Sequence, residues 1–143
     1  MVNISPHITY AEATYSDTAK RLKLDNTPSA EQLLAMQEVA TRIFEPLRAH
    51  FGLPIHISSF FRSNALNEAV GGSTSSQHKL GEAMDVDCDK YGGLTNKQIF
   101  DWVKDNVEYD QLIWEYGTKD EPAWVHFSYT TKRPNRKQIV TVT

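Results

Sequence analysis

A single cysteine, Cys88, in a chain of 143 residues removes one common route to a stable small fold. No intramolecular disulfide can close, so an apolar core has to hold the fold by itself, and a reducing compartment suits the chain at least as well as an oxidising one. The length is that of one domain running over residues 1–143, enough to bury about 70% of the surface its unfolded chain would expose. Hydrophobic residues make up 40% of the sequence and charged residues 23%, which excludes collagen-like, low-complexity and wholly disordered chains. The net charge of -3 argues against general nucleic-acid binding, which calls for a basic excess. The one basic patch, Lys132, Arg133, Arg136 and Lys137 around Pro134-Asn135, reads as a solvated turn. Apolar runs are too short for membrane insertion, and Met1 to Asp17 has neither the basic start nor the apolar stretch of a secretory signal peptide.

Periodicity gives an α+β order, helices first and strands late. Ser16 is placed to cap a short helix through Leu22 and Leu24, and Asn26-Thr27-Pro28 is a turn. Ser29 or Thr27 then caps a long amphipathic helix in which Leu33, Met36, Ala40, Ile43, Phe44 and Leu47 form the buried stripe, with Pro46 set to kink or end it. Strands are predicted over Ile55–Ser59 and Met84–Cys88, with a short helix from Arg62 to Val70 between them. Thr95 caps a helix carrying Ile99, Phe100, Trp102 and Val103. Leu112–Glu115, Trp124–Tyr129 and Gln138–Val142 complete a small antiparallel sheet against which the helices pack.

Of the five histidines, His7, His50 and His56 read as ordinary structural residues, whereas two stand in unusual company. His78 is followed by Gly81 and by Asp85 at the start of a strand, so a loop histidine and a strand aspartate can converge on one point. Trp124, His126 and Ser128 alternate with Val125 and Phe127, which turn the opposite way into the core. Two histidines and a carboxylate are a ligand set for catalytic zinc, with a fourth position left for water. The spacing by itself leaves open whether these residues hold a metal or are satisfied structural groups.

Ser58-Ser59-Phe60-Phe61-Arg62-Ser63, Asn67, Val70-Gly71-Gly72, the segment from Ser76 to Asp87, Asp110 to Glu115 and Trp124 to Ser128 together resemble peptidase family M15, and its short single-domain branch in particular. Ser16 to Ala19 and Asn26-Thr27-Pro28 resemble that branch as well, so the likeness runs from about Ser16 to about Tyr129. The family contains zinc D-alanyl-D-alanine carboxypeptidases and phage cell-wall endopeptidases of the hedgehog/DD-peptidase fold. The resemblance implies one zinc ion on His78, Asp85 and His126, and Arg62 as the group that binds a substrate carboxylate, for which a guanidinium fork is well shaped. Ser76, Gln77 and Trp124 are further candidates for lining the cleft.

Two positions depart from the family pattern. Phe60-Phe61 stands where relatives commonly carry Gly-Tyr, and Ala123 stands three residues before the last histidine, where many carry an acid. The general base must then come from elsewhere. Glu115, which a hairpin over Tyr116 to Ala123 would set across from about Trp124, is the first candidate and Glu121 the second, while Asp120 reads as solvated. Glu115 is open to a second reading as a partner that orients a ligand histidine.

The resemblance thus implies a zinc metallopeptidase acting on peptidoglycan stem peptides, as a D,D-carboxypeptidase or as an endolysin-type endopeptidase in cell wall degradation. It is expected to be a monomer, made in the cytoplasm and reaching the wall by phage-type release or delivery. The alternatives are a non-catalytic zinc-containing module that binds cell-wall peptides or serves structure, and an intracellular amidohydrolase using the same metal.

Overall fold

A computed structural model describes residues 3–143. Three short helices open the chain: α1 (Tyr10–Thr14), α2 (Asp17–Leu22) and α3 (Ala30–Val39). The hydroxyls of Thr9, Ser16 and Ser29 cap them, and Thr9 and Ser29 complete reciprocal capping boxes with Glu12 and Gln32. Pro46 does not end the long helix. One π turn, Ala40–Phe44, carries α3 into α4 (Glu45–Phe51), with the Glu45 amide reaching back to the Ala40 carbonyl and Pro46 lying in the first turn of α4. The π turn immediately before it accommodates Pro46, which has no amide to donate to the preceding turn. Gly52, at φ +65°, stops α4.

The remaining elements are β1 (Ile57–Ser59), α5 (Asn64–Ala69), β2 (Ala83–Val86), α6 (Asn96–Asn106), β3 (Gln111–Glu115), β4 (Trp124–Ser128) and β5 (Gln138–Val142). α5 begins later than the sequence suggests because Ser63, not Arg62, is its capping residue. β2 ends at Val86 because the Asp87 side chain caps a one-turn 3₁₀ helix at Cys88–Lys90. Among the described residues no helix is long and apolar enough to cross a membrane.

The protein is an α+β domain with a five-stranded sheet in the order β1-β2-β4-β3-β5. It is not wholly antiparallel: β5 runs parallel to β3. β4 returns antiparallel to β3 and ends beside the start of β3. The segment 129–137 then carries the chain past that end of β3, so the next strand leaves in the direction of β3. One face of the sheet meets the helices. Met84, Val86, Leu112, Val125 and Phe127 pack there against Met36, Ile43, Phe44 and Leu47 of the α3–α4 helix and Ile99 and Val103 of α6, all almost fully buried. Each such side chain contributes about 1.5–3 kcal/mol through burial. Cys88 lies in the same core, where burial and then Asp89 and Asp87 push its thiol up to about 12, so it has the character of a small buried hydrophobe.

The 129–137 segment is held by Asp110, which is fully buried. Its carboxylate accepts from Arg133 Nη1 and Nη2 at 2.7 and 2.9 Å, and from Arg136 Nε and Nη2 at 3.1 and 2.8 Å. The turn is exposed as expected, but the fold also binds these two arginines to one buried carboxylate. Burial by itself would raise the Asp110 pKa, but the bonds from Arg133 and Arg136 outweigh it and hold the group well below the usual carboxylate range. A carboxyl with a lowered folded-state pKa stabilises the fold above its unfolded value of about 3.9, and this stabilisation is lost as pH falls below it. In urea unfolding, Asp110→Asn should be less stable than wild type at about pH 7, and the gap should shrink steadily below about pH 4.

Candidate metal centre and cleft

The sheet face turned away from the helices carries the chemistry. Pairing of β2 with β4 sets Asp85 opposite His126, and pairing of β3 with β4 sets Ile113 opposite His126 and Glu115 opposite Trp124. Directly opposed residues have Cβ atoms about 5 Å apart, so Asp85 and His126 meet without any further device. With Val125 and Phe127 in the core, His126 faces the opposite side, as the alternation predicts.

His78 arrives from a 3₁₀ turn, Gln77–Leu80, capped by the Ser76 hydroxyl at 3.2 Å from the His78 amide. Gly81 ends the turn at φ +77°, and a Cβ there would sit 2.6 Å from the Gln32 carbonyl oxygen of α3. Close backbone approach and a left-handed conformation both demand glycine. The Gln32 side-chain Nε2 also donates to the Lys79 carbonyl at 3.1 Å, so α3 braces the turn from behind.

His78, Asp85 and His126 are all buried, and their ligand atoms lie within 4.8 Å of one another. His78 Nδ1 donates to the Phe60 carbonyl at 2.7 Å. A carbonyl only accepts, so the proton is on Nδ1 and the lone pair of Nε2 faces Asp85 Oδ1 at 3.3 Å. His126 Nδ1 lies 2.9 Å from the same oxygen. Burial by itself would raise the Asp85 pKa. His78 and His126 beside it outweigh burial and keep the group ionised. Two imidazoles and an ionised carboxylate converging with an oriented tautomer fit one divalent ion of the zinc type, and the group could hold it.

A cleft of about 900 Å³ lies over this group and is lined by Arg62, Ser76, Gln77, Glu115 and Trp124 among others. Arg62 Nη2 is 3.6 Å from Asp85 Oδ2, while its Nε donates to Ser59 Oγ and its Nη1 to Asn67 Oδ1. Glu115 Oε2 is 4.0 Å from His126 Nδ1 and accepts from Trp124 Nε1 at 2.8 Å. Burial, followed by the charge of Asp85, raises the Glu115 pKa above the ordinary glutamate value. Glu121 goes elsewhere: its Oε1 accepts from the Lys97 amide in the first turn of α6, so the structure does not bring it into the cleft. Asp120 is exposed.

The two departures from the family pattern have structural consequences. Phe60 and Phe61 are core side chains, and Phe60 serves the site through its carbonyl oxygen. Ala123 closes the β3–β4 hairpin, its amide donating to the Glu115 carbonyl at 3.0 Å. Sequence reasoning missed the Phe60 carbonyl because any residue offers one. It also missed Arg133 and Arg136 as cleft-lining groups, because their charge pattern matches that of a surface turn.

Residues 6–128 match the family model described as Peptidase M15. No curated protein matches the chain significantly.

Two outcomes test the centre. Zinc at about 100 times its dissociation constant should stabilise the protein by about 2.7 kcal/mol through binding the folded state, seen as a raised thermal midpoint, and Asp85→Asn or His126→Ala should abolish the shift. Gly81→Ala should cost about 1–3 kcal/mol in denaturant unfolding, since it strains the backbone and presses on α3.

Proposed function

Since the chain belongs to the M15 peptidase family, we propose that it hydrolyses peptide bonds in bacterial peptidoglycan stem peptides, acting on the cell wall. M15 peptidases are zinc-dependent metallopeptidases, and the residues that would hold the ion are His78, Asp85 and His126. When bound, zinc supplies Lewis acidity, polarising a carbonyl and lowering the pKa of a water to about 7.

The observation that carries the reading is a second carboxylate, Glu115, facing the same cleft as the His-Asp-His group but outside it. A peptidase needs such a group to take a proton from the attacking water and deliver it to the leaving amine. The Trp124 indole occupies Oε2 and fixes the carboxyl, and among the described residues Oε1 has no donor, so Oε1 is the atom assigned to carry the proton. Arg62, held in place by Ser59 and Asn67, supplies a fixed guanidinium for a peptide carboxylate or carbonyl. Ser76 acts through His78, whose turn it caps. Trp124 contributes an apolar wall, and Gln77 belongs to the polar floor.

Mass spectrometry of defined stem peptides incubated with zinc-loaded protein, beside an EDTA-treated control, tests the proposal. Chelator-sensitive loss of terminal D-alanine would identify a carboxypeptidase, and a cut within the stem or cross-bridge an endopeptidase. No cleavage at stoichiometric zinc would reject the peptidase reading in favour of a binding module. Glu115→Gln should lower kcat by about 10²–10⁴-fold with zinc content unchanged, whereas Glu121→Gln should leave kcat within about twofold, because its carboxylate faces α6.

A further inference from the structure

The cleft over the metal group holds more positive charge than Arg62 alone. Arg133 and Arg136, from the 129–137 segment, line it too. Both grip Asp110, which is fully buried, while their own side chains remain 44% and 48% exposed. One carboxylate thus balances two permanently charged guanidiniums, and one positive charge is left over on the solvent side.

Asp110 has no capacity left for either arginine's remaining N–H groups. Besides the four side-chain bonds from the arginines, it accepts from the Arg136 amide at 2.9 Å and from Gln77 Nε2 at 3.0 Å. Among the described residues, Arg133 Nε and Arg136 Nη1 donate to nothing. The neighbouring cation, Lys132, differs in having its own buried carboxylate, Glu82, at 3.9 Å.

Position links this pair to the reaction centre. Gln77, which donates to Asp110, immediately precedes His78 on the same 3₁₀ turn. The guanidiniums are therefore tied through one side chain to the turn that carries a metal-ligating histidine. Their positions are also fixed by bonds to a buried group, which reduces the entropy lost when a ligand is gripped.

We propose that Arg133 and Arg136 form an anion subsite that takes a free carboxylate of the peptide at a residue away from the scissile bond. This places a specificity for acidic peptides in the cleft, separate from the peptide carboxylate or carbonyl assigned to Arg62. The inference rests on the peptidase reading for its substrate, but the subsite can be measured by binding alone.

The test uses two stem pentapeptides ending in D-Ala-D-Ala, identical except that the D-glutamyl carboxyl is free in one and amidated in the other. Calorimetry at low salt on the zinc-loaded protein gives the affinity for each, and the initial rates give KM and kcat. The wild type should bind the free acid about tenfold more tightly, as a charge-assisted contact predicts, with the preference falling as salt rises. Arg136→Gln and Arg133→Gln should each reduce severalfold, chiefly through KM for the free acid, the ratio by which the same variant prefers the free acid over the amide. Arg136→Lys should restore part of it. A merely structural role would affect acid and amide alike and leave their ratio unchanged. Equal wild-type affinity for the two peptides, or a preference that survives both glutamine variants, would overturn the subsite. An intact, arginine-dependent binding preference without cleavage would support the subsite while rejecting the peptidase reading.

Discussion

The pairing of β2 with β4 is the constraint on which the rest of the site depends. It sets Asp85 beside His126 on one face of the sheet and sends Met84, Val125 and Phe127 into the core on the other. Because side chains alternate with a period of two, a slip by one residue would expose the apolar set and bury the polar one. The core therefore fixes the register, and the register sets the distance between two of the three candidate ligand residues. No separate device is needed to bring them together. The helices serve the chemistry in the same indirect way: α3 and α6 fill one face of the sheet and thereby free the other.

The third candidate ligand depends on a different physics. His78 sits on a turn with few apolar anchors, so its position is set by hydrogen bonds and by a glycine. The Ser76 hydroxyl starts the turn, Gly81 ends it against the Gln32 carbonyl, and the Phe60 carbonyl fixes the ring. The result is a buried donor set in which the Phe60 carbonyl fixes which nitrogen His78 turns toward Asp85. Such orientation of a ligand histidine by a backbone carbonyl is a general means of raising its basicity and holding its angle. The same logic appears at Glu115, whose carboxyl is held by the Trp124 indole on the neighbouring strand.

Charge in the cleft follows a pattern of buried anions beneath partly exposed cations. Asp85 lies beneath Arg62, Asp110 beneath Arg133 and Arg136, and Glu82 beneath Lys132. Each buried carboxylate is kept ionised or hydrogen-bonded by its neighbours, as the low-dielectric interior requires. The guanidiniums are thereby pinned as fixed charges at the cleft surface. An overall net charge of -3 gives no sign of this local surplus, because composition averages over faces that the fold separates.

From α2 onward the order of the main elements, most capping residues and the core stripe were legible in the sequence, because they follow from spacing and local hydrogen bonding, whereas α1 and its Thr9 cap were missed. Ser16, Ser29 and Thr95 cap their helices as their side chains dictate, and the alternation around His126 assigned its face correctly. The motifs around His78, Asp85 and His126 carried the family, which the match over residues 6–128 shows. Other features were decided only by tertiary contact. The π turn before Pro46, the parallel direction of β5, the Phe60 carbonyl on His78, the turn of Glu121 toward α6, and the grip of Asp110 on Arg133 and Arg136 each join residues through a partner that no local pattern names. Periodicity records which way a side chain points from its own element. What it meets there depends on how distant elements pack, and in this protein that packing turned a basic turn into part of the cleft.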